Sequence, residues 1–172
     1  MKLSYLALLL VLMLVSCSRN EDQLLKEGRA AEDQKNFRLA VERYQELVNR
    51  FPGGANAESC QTRIAVIYNN ELHDFENAVF AYKKAYSLFP SSKNAPTALF
   101  LAGFLLSNEL HKLDSAKAVF ETFLQKYPDH ELASSAKFEL ETMGKDPSEF
   151  IQSDKISAEG AKSQTSEKTP KQ

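Results

Sequence analysis

The chain has 172 residues, 43% hydrophobic and 26% charged, with six glycines and six prolines, a composition that excludes collagen, a coiled-coil fibre and a wholly disordered chain and fits one globular domain with appendages. Its 21 basic and 23 acidic residues give a formal net charge of −2, so there is no basic excess to neutralise phosphates and nucleic-acid binding is not expected. Two cysteines, three histidines and no tryptophan, with no C-x-x-C pair, offer neither a disulfide framework nor zinc-ligand spacing.

Lys2 precedes a run from Leu3 to Val15 that is apolar apart from Ser4, followed by Ser16 and Cys17. The run is too short to cross a bilayer, which takes about 20 residues of helix. Charge, apolar run and small residue stand in the order of a signal peptide, so residues 1–16 are expected to be removed. Leu14-Val15-Ser16-Cys17 resembles the lipobox of bacterial lipoproteins. That resemblance implies a diacylglyceryl group on the Cys17 thiol and a membrane anchor, and several acyl chains, at about 0.8 kcal/mol per buried CH₂, exceed the single-chain threshold for stable anchoring. Ser18 stands where an Asp would, by resemblance to the Gram-negative sorting pattern, imply retention at the inner membrane; the expected address is the outer membrane. Losing Lys2 leaves 20 basic against 23 acidic residues, a net of −3. Ser18, Arg19 and Asn20 form a tether of about 10 Å at most, which keeps the folded part near the bilayer.

Beyond the tether the chain repeats. Pro52, Pro90 and Pro128 lie 38 residues apart, each preceded by an aromatic: Phe51, Phe89 and Tyr127. The same spacing relates Phe37, Phe75 and Leu113; Ala40, Ala78 and Ala116; and Tyr44, Tyr82 and Phe120, while Asn70-Glu71-Leu72-His73 recurs as Asn108-Glu109-Leu110-His111. From Phe37 the apolar residues Ala40, Val41, Tyr44, Leu47, Val48 and Phe51 trace one face of a helix, and the next two units repeat the pattern apart from Lys117, whose methylenes can follow an apolar edge. Each proline then ends a helix. A further helix precedes each of these, carrying Leu24, Gly28 and Ala31, then Cys60, Ile64, Ile67 and Tyr68, then Leu99, Ala102, Gly103 and Leu106. Each unit is a helix hairpin.

Helix pairs with Gly or Ala at the crossing, an Ala early in the second helix, an aromatic four residues later and Pro at its end resemble the tetratricopeptide repeat over about residues 21–143. The first unit matches best through Leu24, Gly28, Ala31, Ala40, Tyr44, Leu47 and Pro52; the later two carry one extra residue in the turn between helices. The expected fold is all-α: three such hairpins, about 21–58, 59–96 and 97–128, in the right-handed solenoid with a concave groove that the resemblance implies. A cap over 129–144 is expected to close it, with Asp129 as N-cap, Leu132, Ala133, Ala136, Phe138, Leu140 and Met143 packing inward, and Gly144 at the C-terminal turn. Residues 145–151 read as one more turn, with Phe150 and Ile151 able to dock. The polar stretch 152–172 is expected to be disordered.

No phosphate loop, nucleophile elbow or H-E-x-x-H is present, so no enzyme, cofactor or metal is expected. His73 and His111 read as an inherited turn sequence rather than a metal pair, Cys60 as a packed thiol rather than a reactive one, and the many carboxylates as solvated faces and i,i+4 pairs. Repeat geometry sets Leu25, Arg29, Glu32 and Asp33 of the first unit, Thr62, Val66, Asn69 and Asn70 of the second, and Phe100, Phe104, Ser107 and Asn108 of the third along the groove. Asn side chains can pair with a peptide backbone. Phe100 and Phe104 either anchor a partner or pack beneath the cap. The family's lysine and asparagine clamp for a terminal carboxylate is not matched, because Leu25 and Thr62 hold the lysine-type positions. With its lipobox, minimal tether and loosened repeats, the chain resembles the repeat lipoproteins of the outer-membrane protein assembly machinery, which have more units. That resemblance implies a lipid-anchored adaptor for a protein or peptide partner in the envelope. The alternative is a structural or oligomerising spacer, similar to the repeat domain of a cell-division coordinator.

Overall fold

The helix pattern is realised in a computed structural model that describes residues 19–145; the signal segment, Cys17 and the stretch from 146 to 172 lie outside the described residues. Among those described there are seven α-helices and no strand: α1 (Glu21–Asp33), α2 (Phe37–Arg50), α3 (Ala57–Asn70), α4 (Phe75–Leu88), α5 (Ala95–Asn108), α6 (Leu113–Lys126) and α7 (Ala133–Thr142). The main contacts join helices that follow one another in the chain. The result is three hairpins, α1/α2, α3/α4 and α5/α6, stacked as a tetratricopeptide-like solenoid with α7 on the last.

Local chemistry sets the ends of the helices. Asn20 and Gln23 form a capping box at α1, each side chain bonding the other's backbone N–H, at 2.8 and 3.1 Å. Asn36 and Asp74 cap α2 and α4 by accepting from Leu39 N and Asn77 N, whereas Lys112 holds the same place before α6 without a side-chain cap. The aromatics Phe51, Phe89 and Tyr127 are C-caps with nearly the same backbone, φ −129, −125 and −132 and ψ 58, 57 and 54. All three leave the α region, which the following proline disfavours.

The extra residue in the later turns shows in the hydrogen bonds. Asn36 N reaches back five residues to Ala31 O, while Asp74 N and Lys112 N reach back six, to Tyr68 O and Leu106 O. The left-handed residue that reverses the chain is Lys35, His73 or His111, spaced by 38. His73 and His111 therefore serve as turn residues.

Each hairpin closes on a small residue. Tyr44 of α2 crosses α1 at Gly28, where a Cβ would lie 2.3 Å from its ring, and Phe120 of α6 crosses α5 at Gly103, where it would lie 3.0 Å away. Leu24, Leu47, Ile64, Ile67, Phe120 and Phe123 are fully buried, each contributing about 1.5–3 kcal/mol by leaving water. Arg19 ion-pairs with Glu27 of α1 at 3.1 Å and Glu46 of α2 at 3.2 Å, laying the tether's end against the first hairpin.

The C-terminal helix departs from expectation in two respects. The residue before α7 is Leu132 rather than Asp129, and the N–H of Leu132 donates to His130 Nδ1. The reason is that α7 begins 38 residues after α5, itself 38 after α3, and the same pair of backbone turns precedes all three. Phe138 is 61% exposed, and only Ala133 and Ala136 of α7 are fully buried. In repeat register Lys137 and Glu141 replace Leu99 and Gly103, so α7 lacks the apolar face with which α5 receives α6. Gly144 does take the left-handed conformation, φ +76.

Candidate functional site

Seen along α1, α3 and α5, the predicted groove residues fall into rows. Leu25, Thr62, Val66, Asn69 and Phe104 are partly buried, Arg29, Asp33, Asn70 and Asn108 exposed, and Phe100 and Ser107 buried, at 9% and 8% exposure.

The N-terminal third of the groove is a recess of about 380 Å³ between α1 and α3, floored by Cys60 and Tyr44 and walled by Leu25, Arg29, Glu32, Asp33 and Arg63. Glu32 organises it. Its carboxylate accepts from the Arg63 guanidinium, at 2.7 Å from Nε and through a second nitrogen, and from the Tyr44 hydroxyl. One side chain of the first unit thereby joins α1, α2 and α3. Partial burial alone would raise the Glu32 pKa; the hydrogen bonds from Arg63 and Tyr44, with the charges of Arg63 and Arg29, outweigh it and hold the carboxyl below the usual value of 4.5. Burial first, then the Glu32 hydrogen bond, pushes the Tyr44 phenol up and keeps it neutral.

Arg29 is exposed at the rim and makes no ion pair among the described residues. It is a fixed positive charge available to an incoming group. Cys60 is 2% exposed, and burial raises its thiol to about 11, which leaves it almost wholly protonated near neutrality and a poor nucleophile.

The middle of the groove is polar and partly self-satisfied. Asn69 Nδ2 donates to Asn70 Oδ1 at 2.7 Å. Thr62 and Val66 line a shallower recess with Ala55, Glu58, Ser59, Arg63 and Asn94. At the C-terminal end Phe100 packs in the core, 5.6 Å from the Phe120 ring and 5.9 Å from Phe123, while Phe104 stacks on it at 6.3 Å. Asn108 donates to Phe104 O and to Glu139 of α7. Phe100 is buried, but against Phe120 and Phe123 of α6 rather than beneath the cap as one of the two readings expects, and Phe104 is only partly buried.

Sequence reasoning overlooked three features. Glu21 Oε1 accepts from Asn56 N at 2.8 Å and Asn56 Nδ2 at 3.0 Å, and Glu58 Oε1 accepts from Ser92 Oγ at 2.5 Å and Asn94 Nδ2 at 2.9 Å. An acid at the start of one unit thus pins the turn that opens the next. With the Glu32–Arg63 pair, these contacts between units correct the assignment of the carboxylates to solvated faces and i,i+4 pairs alone. The signal was present, since Glu21 and Glu58 occupy matching places before the matching Asn56 and Asn94. Third, Gln61 is fully buried where the other units have Leu24 and Leu99; its Nε2 donates to Ala81 O, and its Oε1 has no partner among the described residues. Periodicity could not reveal it, because a polar residue on an apolar stripe reads as an interruption.

Among the described residues no cluster of three or more His, Cys, Asp or Glu could hold a metal, and no helix is long and apolar enough to cross a membrane. No individually curated protein matches the chain. Residues 18–146, about three quarters of the sequence, match the YfiO family, described as outer membrane lipoprotein. With three stacked hairpins and a family match that spans the whole described fold, the chain belongs to the YfiO family of outer-membrane lipoproteins.

Proposed function

We propose that this lipid-anchored outer-membrane protein is a non-catalytic adaptor that holds an extended segment of another envelope protein in its concave groove. The observation that carries this reading is the recess between α1 and α3. Its walls are braced by the Glu32 bonds to Arg63 and Tyr44, while Arg29 at its rim is exposed and makes no ion pair among the described residues. Preformed concavity with a few fixed polar groups is what recognition of a chain segment requires. Cys17 is the proposed acylation site, and the short tether holds the groove close to the bilayer. The process assigned is outer-membrane protein assembly, by resemblance to that machinery's repeat lipoproteins.

The test is photocrosslinking in living cells from groove positions Thr62, Val66 and Phe104, with Phe80 on α4, 66% exposed, as the control, followed by mass spectrometry. Discrete adducts from the groove that disappear with Arg29→Glu support the adaptor. Adducts confined to Phe80, or to other copies of the same chain, would replace it with the structural spacer.

A further inference from the structure

Phe138 stands 38 residues after Phe100, at the same place in its helix, yet it is 61% exposed where Phe100 is 9% exposed. The difference is cover, since Phe100 lies under Phe104 and against Phe120 and Phe123, whereas no described element lies over Phe138. Together with Phe100, Phe104, Ser134, Ser135 and Glu139 it lines an open recess of about 420 Å³ between α5 and α7. An aromatic ring left in water at the edge of an apolar recess wants an occupant.

The chain supplies one. Residues 146–172 contain three large apolar side chains, and two of them, Phe150 and Ile151, are adjacent and lie just beyond Lys145. From Thr142, the last residue of α7, Phe150 is eight residues on, a reach of about 27 Å. From the end of α7, Phe138 is about one turn back along the axis, about 6 Å, and about one helix spacing across, 8–10 Å, so the pair can return to it without unwinding α7. Charge agrees: Lys137, beside Phe138, makes no ion pair among the described residues, and Glu149 precedes Phe150.

We propose that Phe150 and Ile151 dock into the recess formed by Phe100, Phe104 and Phe138, covering the C-terminal end of the groove from within the same chain. The contact supplies the apolar cover that a complete fourth hairpin would give, and a partner reaching this end of the groove has to displace it. It stands independently of the adaptor role.

The protein contains no tryptophan, so Phe138→Trp places a single fluorophore in the recess. The full-length acylated protein in phospholipid vesicles is quenched with acrylamide, with and without Phe150→Ser and Ile151→Ser. Docking shields the indole, so introducing the two serines raises the quenching constant toward that of a ring as open as Phe138, 61% exposed. Diluting the protein about a hundredfold in lipid leaves the shielded value unchanged, because an intrachain contact has a fixed effective concentration. Equal quenching in both proteins overturns the proposal, as does shielding lost on dilution, which assigns the recess to a second copy. As a check free of the indole, Phe138→Cys with Ile151→Cys should oxidise to an intrachain disulfide several-fold faster than Phe80→Cys with Ile151→Cys; equal rates overturn the proposal. No partner enters either measurement, so its outcome is separable from that of the groove crosslinks.

Discussion

Gly28→Ala isolates the crossing on which the first hairpin depends. A Cβ at this position would lie 2.3 Å from Tyr44 Cε1, 2.6 Å from Cδ1 and 2.9 Å from Cζ. Tyr44 is 2% exposed and its hydroxyl is bonded to Glu32, so the ring cannot swing aside and keep that bond. Alanine in a helix gains about 1 kcal/mol over glycine. Against this stand overpacking, about 1–3 kcal/mol, and loss of a hydrogen bond to a charged group, about 1.5–3 kcal/mol. The net expectation is a destabilisation of about 2–4 kcal/mol, read from urea unfolding of the full-length protein followed by far-ultraviolet circular dichroism. Gly103→Ala is the internal comparison. Its Cβ would sit 3.0 Å from Phe120 and 3.1 Å from Val119, and Phe120 has no hydroxyl to lose, so a shift of a few tenths of an ångström should leave stability within about 1 kcal/mol of wild type. In the double variant Gly28→Ala with Tyr44→Leu, the smaller side chain should recover part of the loss, giving a coupling of about 1–2 kcal/mol. A Gly28→Ala protein as stable as wild type, or Gly103→Ala costing more than Gly28→Ala, would refute the reasoning.

Two further substitutions test the caps and the buried thiol. Lys112→Asn should stabilise α6: the backbone there, φ −91 and ψ 67, already matches the capping residues Asn36 and Asp74, and the cap's gain of about 1 kcal/mol exceeds the exposed Lys112–Glu76 pair it removes; a lower urea midpoint would contradict this. At alkaline pH the unfolded chain releases the Cys60 proton near 9 while the folded chain keeps it to about 11, so the unfolded state binds fewer protons and stability falls as pH rises through that window, by about 2–3 kcal/mol from this group. Cys60→Ala should flatten the pH 9–11 slope by that amount, and an unchanged slope would show that another group carries it.

The hairpins were legible because their determinants are local or periodic. Phe37, Phe75 and Leu113 open the second helices as the spacing indicates, and the aromatic before each proline closes them, since hydrophobic period and proline sterics act within a few residues. What stayed hidden depended on long-range partners. Glu21 meets Asn56 across 35 residues and Glu32 meets Arg63 across 31, and nothing in their immediate neighbourhoods separates these acids from solvated ones. Phe138 failed for a related reason: a helical stripe tells which residues share a face, whereas burial also needs a second surface. Asp129 failed because capping preference, about 1 kcal/mol, yields to a turn repeated before α3, α5 and α7.

The groove positions separate from the folding positions when the units are superposed in register. Gly28, Ala65 and Gly103, the aromatics Tyr44, Tyr82 and Phe120, and the aromatic-proline turns keep their chemical character from unit to unit, because each answers a packing demand that recurs. The concave rows do not: Arg29 gives way to Val66 and then Phe104, and Glu32 to Asn69 and then Ser107. The surface thus runs from a charged, braced recess at the anchored end to an aromatic one at the far end, on a backbone that barely changes. These rows do not answer a packing demand that recurs from unit to unit, even where one member, Glu32, braces its own hairpin. For the proposed adaptor, that gradient would orient a bound segment with charged or polar groups toward α1 and apolar ones toward α7, before any single contact is considered.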